Sequence, residues 1–342
     1  MTVGAHDPVR PAPPGRTGRT TRETQMITLN GLTKRYGDKT AVDDLSVEIL
    51  PGRVTGLLGP NGAGKSTTMR MIVGHDHPTS GRALINAEPY AALRHPLREV
   101  GALLDAKALH PGRSGRHHLR VMASSNGIPW RRVDEVIGMV GLDKVAGRRT
   151  GTFSLGMSQR LGIAGALLGD PEILIFDEPV NGLDLEGVRW VRGLARSLAA
   201  EGRTVFISSH LLSEMQLTAD HLVVIGKGRL IADEPIKEVV APDSAAAVRI
   251  RSPEAEGLRA LECWFRVAGR TVEKAAADAL TVRGTTVEEA GDAAHELGVR
   301  LHELRGETPS LEDAYLRLTT GRAEYSASPR PSGAEAEGRT GR

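Results

Sequence analysis

Leu45, Val47 and Ile49 alternate with Ser46 and Glu48, the period-two pattern of a half-buried strand, and Pro51-Gly52 ends it in a turn. Val54 to Leu58 predicts a short strand running into a Gly-rich loop, and the helix after that loop closes near Gly74. Val133, Val136, Ile137 and Val140 recur at helical spacing, with Gly141 as the stop. Ile173 to Phe176 and Val205 to Ile207 are unbroken apolar runs, the kind buried on both faces of a parallel sheet. Leu222 to Ile225 and Leu230 to Ala232, either side of Lys227-Gly228, predict a closing hairpin. Strands alternating with helices predict an α/β domain over residues 26–240.

The texture changes after Pro242. Strand patterns at 248–251, 271–274, 280–283 and 299–304, with helical patterns at 255–266 and 286–297, give a β-α-β-β-α-β order. That order predicts a small ferredoxin-like α+β module over residues 241–322. A last helix is expected to start at Ser310, whose hydroxyl can cap it, with Asp313 three residues on. Residues 1–25 and 323–342, rich in Pro, Gly, Ser, Arg and Glu, read as disordered tails. The chain shows no internal repeat and is read as one unit, not a tandem pair.

Composition adds little chemistry. Hydrophobic residues are 40% and charged residues 25%, ordinary for a globular protein, and 3% aromatics leave the core to Ala, Val, Leu and Ile. A formal net charge of +2 does not by itself argue for nucleic acid or an anionic membrane. No stretch reaches the roughly 18 apolar residues of a spanning helix. The first 25 residues lack the apolar core of a secretory signal. Cys263 is the single cysteine, which suits a reducing compartment, and is expected as a small buried hydrophobe. The expectation is a cytoplasmic protein.

Chemistry enters at Gly59-Pro60-Asn61-Gly62-Ala63-Gly64-Lys65-Ser66-Thr67, a phosphate-binding loop set between a strand and a helix. Its glycines let backbone N–H groups turn toward phosphates, and the helix N-terminus adds a positive dipole end. Lys65 can reach the β- and γ-phosphates of ATP, and the Ser66 hydroxyl is a ligand for Mg²⁺. Phe176-Asp177-Glu178-Pro179 ends the buried strand from Ile173. In a P-loop ATPase an acid there holds Mg²⁺, here Asp177, and its neighbour Glu178 is placed as general base toward water.

Four further motifs complete a family pattern. Phe153-Ser154-Leu155-Gly156-Met157-Ser158-Gln159-Arg160 resembles the signature of ATP-binding-cassette (ABC) ATPases, upstream of the acidic strand. Asn181-Gly182-Leu183-Asp184 resembles the loop at which two cassettes touch, and Ser208-Ser209-His210 the switch histidine. Tyr36 with Ala41-Val42 is similar to the residues that pack on adenine. The likeness covers about residues 27 to 240, and the Ser-Leu-Gly-Met form is similar to exporter ATPases of the bacitracin and anthracycline (daunorubicin) self-resistance type.

The resemblance implies a P-loop NTPase fold: a RecA-like core, an antiparallel β subdomain and a helical insert between about 105 and 165. It implies a head-to-tail pair of cassettes. Ser154 and the backbone around Gly156 and Met157 would face ATP held on the partner's phosphate loop, and His210 the γ-phosphate and attacking water. It implies Tyr36 and Val42 at adenine. Two departures stand out. Leu155 and Met157 replace the signature's first glycine and its glutamine, and Asp105 stands where a glutamine is usual, with its carboxylate expected toward Mg²⁺. The basic segment Lys107 to Arg120 reads as a solvated helix face or as contact with a permease; no aromatic platform accompanies it, so no nucleic acid is expected. The function implied is Mg²⁺-dependent ATP hydrolysis that energises export by a separate transmembrane permease, at the inner face of the membrane. An importer ATPase, or an ABC ATPase working on ribosomes or nucleic acid, is the alternative.

Overall fold

The computed structural model describes residues 26–240 and 247–307 and, beyond them, residues 311, 312 and 314–316. Both tails, and the expected cap pair Ser310 and Asp313, lie outside the described residues.

Strands β1 (Ile27–Tyr36) and β2 (Lys39–Ile49) pair antiparallel. Strand β3 (Val54–Leu58) then enters a second sheet, and its five buried residues lead through the phosphate loop into α1 (Lys65–Ile72). Strand β4 (Ser80–Ile85) returns to the other edge of β1, so the first sheet runs β2-β1-β4. Its inward faces, among them Ile27, Leu29, Leu45 and Ile49, share one apolar cluster with Leu57 and Phe206. That packing seats the small sheet on the second one.

Short α2 (Pro96–Glu99) precedes β5 (Val100–Leu103), after which α3 (Gly115–Ser125), α4 (Trp130–Met139) and α5 (Leu155–Leu167) form the helical insert. Val133, Val136, Ile137 and Val140 are all fully buried, as their helical spacing demands, and Gly141 adopts φ +69° just beyond. Next come β6 (Ile173–Phe176), α6 (Leu185–Ala200), β7 (Thr204–Ser209), α7 (Leu212–Thr218), β8 (His221–Gly226), β9 (Arg229–Pro235) and α8 (Ile236–Val240). The central sheet has the order β5-β6-β7-β3-β8-β9 and is parallel except for edge strand β9. The apolar runs at 173–176 and 205–207 are buried throughout, which is what two covered faces require.

Beyond residue 246 the order is β10 (Ala247–Arg251), α9 (Ala255–Val267), β11 (Thr271–Ala276), β12 (Ala279–Arg283), α10 (Val287–Glu296) and β13 (Glu303–Glu307). The antiparallel sheet β11-β12-β10-β13 has the strand arrangement of a ferredoxin-like module. Its core centres on Val248, Ile250, Leu261, Phe265 and Val282. Two expectations are corrected here. Val299 lies in the turn that closes α10, not in a strand: Gly298 takes φ +65°, the Val299 N–H returns to the Ala294 carbonyl at 2.9 Å, and β13 starts only at Glu303. Cys263 is exposed, because α9 turns Leu258, Leu261 and Phe265 inward and leaves Cys263 on the opposite face.

Residues 311, 312 and 314–316 come back to the first domain. Leu311 and Ala314, each 1% exposed, join the apolar cluster that holds Leu222, Ala232 and Val239, and the Leu311 N–H donates to Gln216 Oε1 at 3.0 Å.

Candidate functional site

The C-terminal ends of β3, β6 and β7 lie side by side, Leu58 opposite Ser209 and Phe176 opposite Ile207. The loops that leave these three strands therefore converge on one edge of the sheet, the usual ligand position of an open α/β fold. A cleft of about 450 Å³ opens there, lined by Tyr36, Lys39, Ala41, Asn61 to Thr67, Glu178, Asn181 and His210.

The floor is the loop from Gly59 to Gly64. Gly64 takes φ +105°, and a Cβ on it would stand 2.5 Å from the Ala41 carbonyl oxygen; at Gly59 a Cβ would stand 2.5 Å from that of Ile225. Only glycine fits at either position, so the loop folds close against its neighbours and α1 starts with its N–H groups aimed at the cleft. The Lys65 side chain, 7% exposed, donates to the Gly59 carbonyl at 2.7 Å and lies 3.5 Å from Glu178 Oε1. The other Glu178 oxygen is 2.7 Å from His210 Nδ1. One carboxylate thus stands between an ammonium and an imidazole at the mouth of an anion-binding loop.

Glu178 reaches this place through an unusual backbone. Its φ is +49°, a left-handed conformation uncommon for a side chain of this length. Its N–H donates to Ser208 Oγ at 2.9 Å, and that hydroxyl in turn donates to Asp177 Oδ1. Asp177, whose N–H donates to the Leu103 carbonyl at 2.8 Å, is held one residue behind Glu178 at the strand end. The Ser66 hydroxyl and the Asp177 carboxylate are oxygen donors of the kind that a hard cation such as Mg²⁺ takes.

Tyr36, 47% exposed, borders the outer part of the cleft, its hydroxyl donating to Asp76 Oδ2 at 2.9 Å and Lys34 Nζ standing 5.0 Å from its ring centroid. Desolvation and the Asp76 bond push the phenol up from its ordinary value. Val42, expected beside it, is fully buried: the alternation of β2 breaks between Val42 and Leu45, where Asp44 takes φ +52°, and the cleft receives Ala41 instead. Asp105 is not brought to this cleft either. Its exposed carboxylate accepts the Lys107 N–H at 2.8 Å, and the residue borders a separate groove with Leu104, Ala108 and Met122. Ser154, Gly156 and Met157 open α5 away from the cleft of their own chain, with Ser154 Oγ accepting the Met157 N–H at 3.2 Å. Sequence reasoning passed over Lys39 and the supporting roles of Ser208 and Gln159. Gln159 is 5% exposed, and its side-chain amide donates to the Glu178 and Asn181 carbonyls at 3.3 Å each.

A glycine-rich phosphate cradle at the end of β3, an acidic pair at the end of β6 and a capped helix outside the cleft define a P-loop ATPase of the cassette type. The model of the ABC transporter family matches residues 42–181, and that of a domain of unknown function (DUF8746) matches residues 246–312. The chain is 43% identical over 213 residues to the bacitracin transport ATP-binding protein BcrA of Bacillus licheniformis, covering 61% of this chain and 70% of that one. It is 35% identical over 300 residues to the uncharacterized ABC transporter ATP-binding protein YhcH of Bacillus subtilis (strain 168), 86% of this chain and 96% of that one. The solved structure of cbiO1 from Clostridium perfringens, part of the ABC transporter complex cbiONQ, superposes with a TM-score of 0.55 at 30% identity, over 64% of this chain and 90% of the other. The chain belongs to the family of ABC transporter ATP-binding subunits and is an ATPase.

Proposed function

We propose that two copies of this chain close head to tail around two MgATP molecules and drive a separate membrane permease that exports a small hydrophobic compound, a lipid or a peptide antibiotic. The observation that carries the reading is the Glu178 carboxylate, 3.5 Å from Lys65 and 2.7 Å from His210 at the mouth of the phosphate loop. In this reading Lys65 and the loop N–H groups hold the β- and γ-phosphates. Tyr36 and Ala41 flank the base, and Ser66 and Asp177 hold Mg²⁺, which neutralises phosphate charge when bound. Glu178 accepts a proton from the attacking water, and His210 orients that water and the γ-phosphate. Ser154 and the N–H groups that follow it sit outside their own cleft, as a group serving the nucleotide of a second copy would.

Export is favoured by the Ser-Leu-Gly-Met signature and by the bacitracin transport role in the name of the BcrA relative. No helix among the described residues is long and apolar enough to cross a membrane, in keeping with a membrane path supplied by another chain. The protein would then sit on the inner face of the membrane through its permease.

Glu178→Gln tests the mechanism, since it keeps shape and removes the base. We expect tight MgATP binding, turnover reduced by about 100-fold or more, and an ATP-dependent dimer visible by light scattering. Normal turnover, or an ATP-bound monomer, overturns it.

A further inference from the structure

Glu178 is held in a left-handed backbone conformation, φ +49°, that must be stabilised from outside. Two groups grip that peptide. Ser208 Oγ, from β7, accepts the Glu178 N–H at 2.9 Å. On the other side the Gln159 side-chain amide, from the second turn of α5, donates to the Glu178 carbonyl and to the Asn181 carbonyl, both at 3.3 Å. The orientation of that amide is dictated by chemistry: two carbonyl acceptors call for the NH₂ group, and the reverse flip would set oxygen against oxygen. Its Oε1 is buried with no hydrogen-bond partner among the described residues, so the whole polar use of this side chain is the bridge between two carbonyls. A buried glutamine retained with half of its polar capacity unused points to the bridge as its purpose.

The helix that carries Gln159 begins at Ser154 and Leu155. Leu155 lies directly on Gly182, its Cδ2 within 2.2 Å of where a Cβ on that glycine would be. The start of α5 is therefore fastened at two points to the segment 178–182, which carries the base. We infer that Gln159 is a positioning residue that aims the Glu178 carboxylate by fixing its backbone, and so makes the seating of the signature helix a condition for hydrolysis in the same chain. This rests on the reading of Glu178 as general base. Gln159 itself does not line the cleft and touches no substrate.

The test uses the full-length chain and compares wild type, Gln159→Met, Glu178→Gln and the double variant. Methionine keeps the length and burial of the side chain and removes the donors; Gln159→Leu carries the same test should the methionine variant not fold. We expect MgATP affinity and KM within about twofold of wild type and kcat lower by about 10-fold or more, because a small misplacement of a reacting group is costly. Added to Glu178→Gln, the Gln159 substitution should slow the residual single-turnover rate no further, since no base is left to misplace. Normal kcat in a folded Gln159 variant overturns the inference. So does a parallel loss of affinity and rate, or the same fold-loss in the Glu178→Gln background as in wild type. Normal turnover by Glu178→Gln alone would overturn the base assignment instead, which is a separate result.

Discussion

At the scale of single residues, the site depends on which side of a strand each side chain takes. Tyr36 and Ala41 border the cleft while Val42, one position on, is fully buried. The motif was legible, but β1 and β2 carry three register irregularities between Leu29 and Arg35, so inward and outward positions could not be counted from sequence. Asp105 shows the same limit. Its neighbourhood was recognisable, yet its carboxylate turns back to the Lys107 N–H instead of entering the cleft. Asp105→Ala should therefore leave the Mg²⁺ dependence of ATP hydrolysis unchanged. A titration of rate against Mg²⁺ checks this, and a raised Mg²⁺ requirement would return the carboxylate to the metal.

At the scale of elements, helix ends do two jobs that substitution can separate. Ser154 caps α5 by accepting the Met157 N–H at 3.2 Å, and Thr286 caps α10 by accepting the Glu289 N–H at the same distance. Loss of either cap should cost about 1 kcal/mol of stability. That lowers Tm by about 2–4 °C in the larger first domain and by about 4–8 °C in the small C-terminal module. Ser154→Ala should also lose ATPase activity, because the same hydroxyl opens the helix proposed to face a partner's nucleotide. Thr286→Ala lies far along the chain in another module and should keep it. Melting curves beside steady-state rates decide; equal activity in both variants would leave Ser154 a cap and nothing more.

At the scale of the whole molecule, the chain closes on itself. Every residue lining the nucleotide cleft lies between Tyr36 and His210. Even so, Leu311 and Ala314 are buried in the core of the ATPase domain, across the whole module formed by β10 to β13. A chain ending at Val240 should still bind MgATP but melt well below the full-length protein and expose an apolar patch around Leu222 and Val239. Leu311→Ala in the full-length chain should lose about 2–3 kcal/mol through the cavity it leaves. Calorimetry of binding and unfolding on both proteins tests this; an unchanged Tm for Leu311→Ala would show that the returning segment bears no weight.

The parts whose physics is local are legible in the order of residues alone. The phosphate loop needs its glycines and lysine in contiguous order, buried strands declare themselves as apolar runs, and helix stops such as Gly141 act within one turn. Most strands and helices of the C-terminal module were legible on the same terms. What arises between segments distant along the chain comes from the folded arrangement. It set Glu178 between Lys65 and His210, put Ala41 in the cleft in place of Val42, laid the Gln159 amide against the Glu178 carbonyl and returned Leu311 to the first core. Contacts such as these depend on sheet order, register and loop closure, and no periodicity within a single segment encodes them.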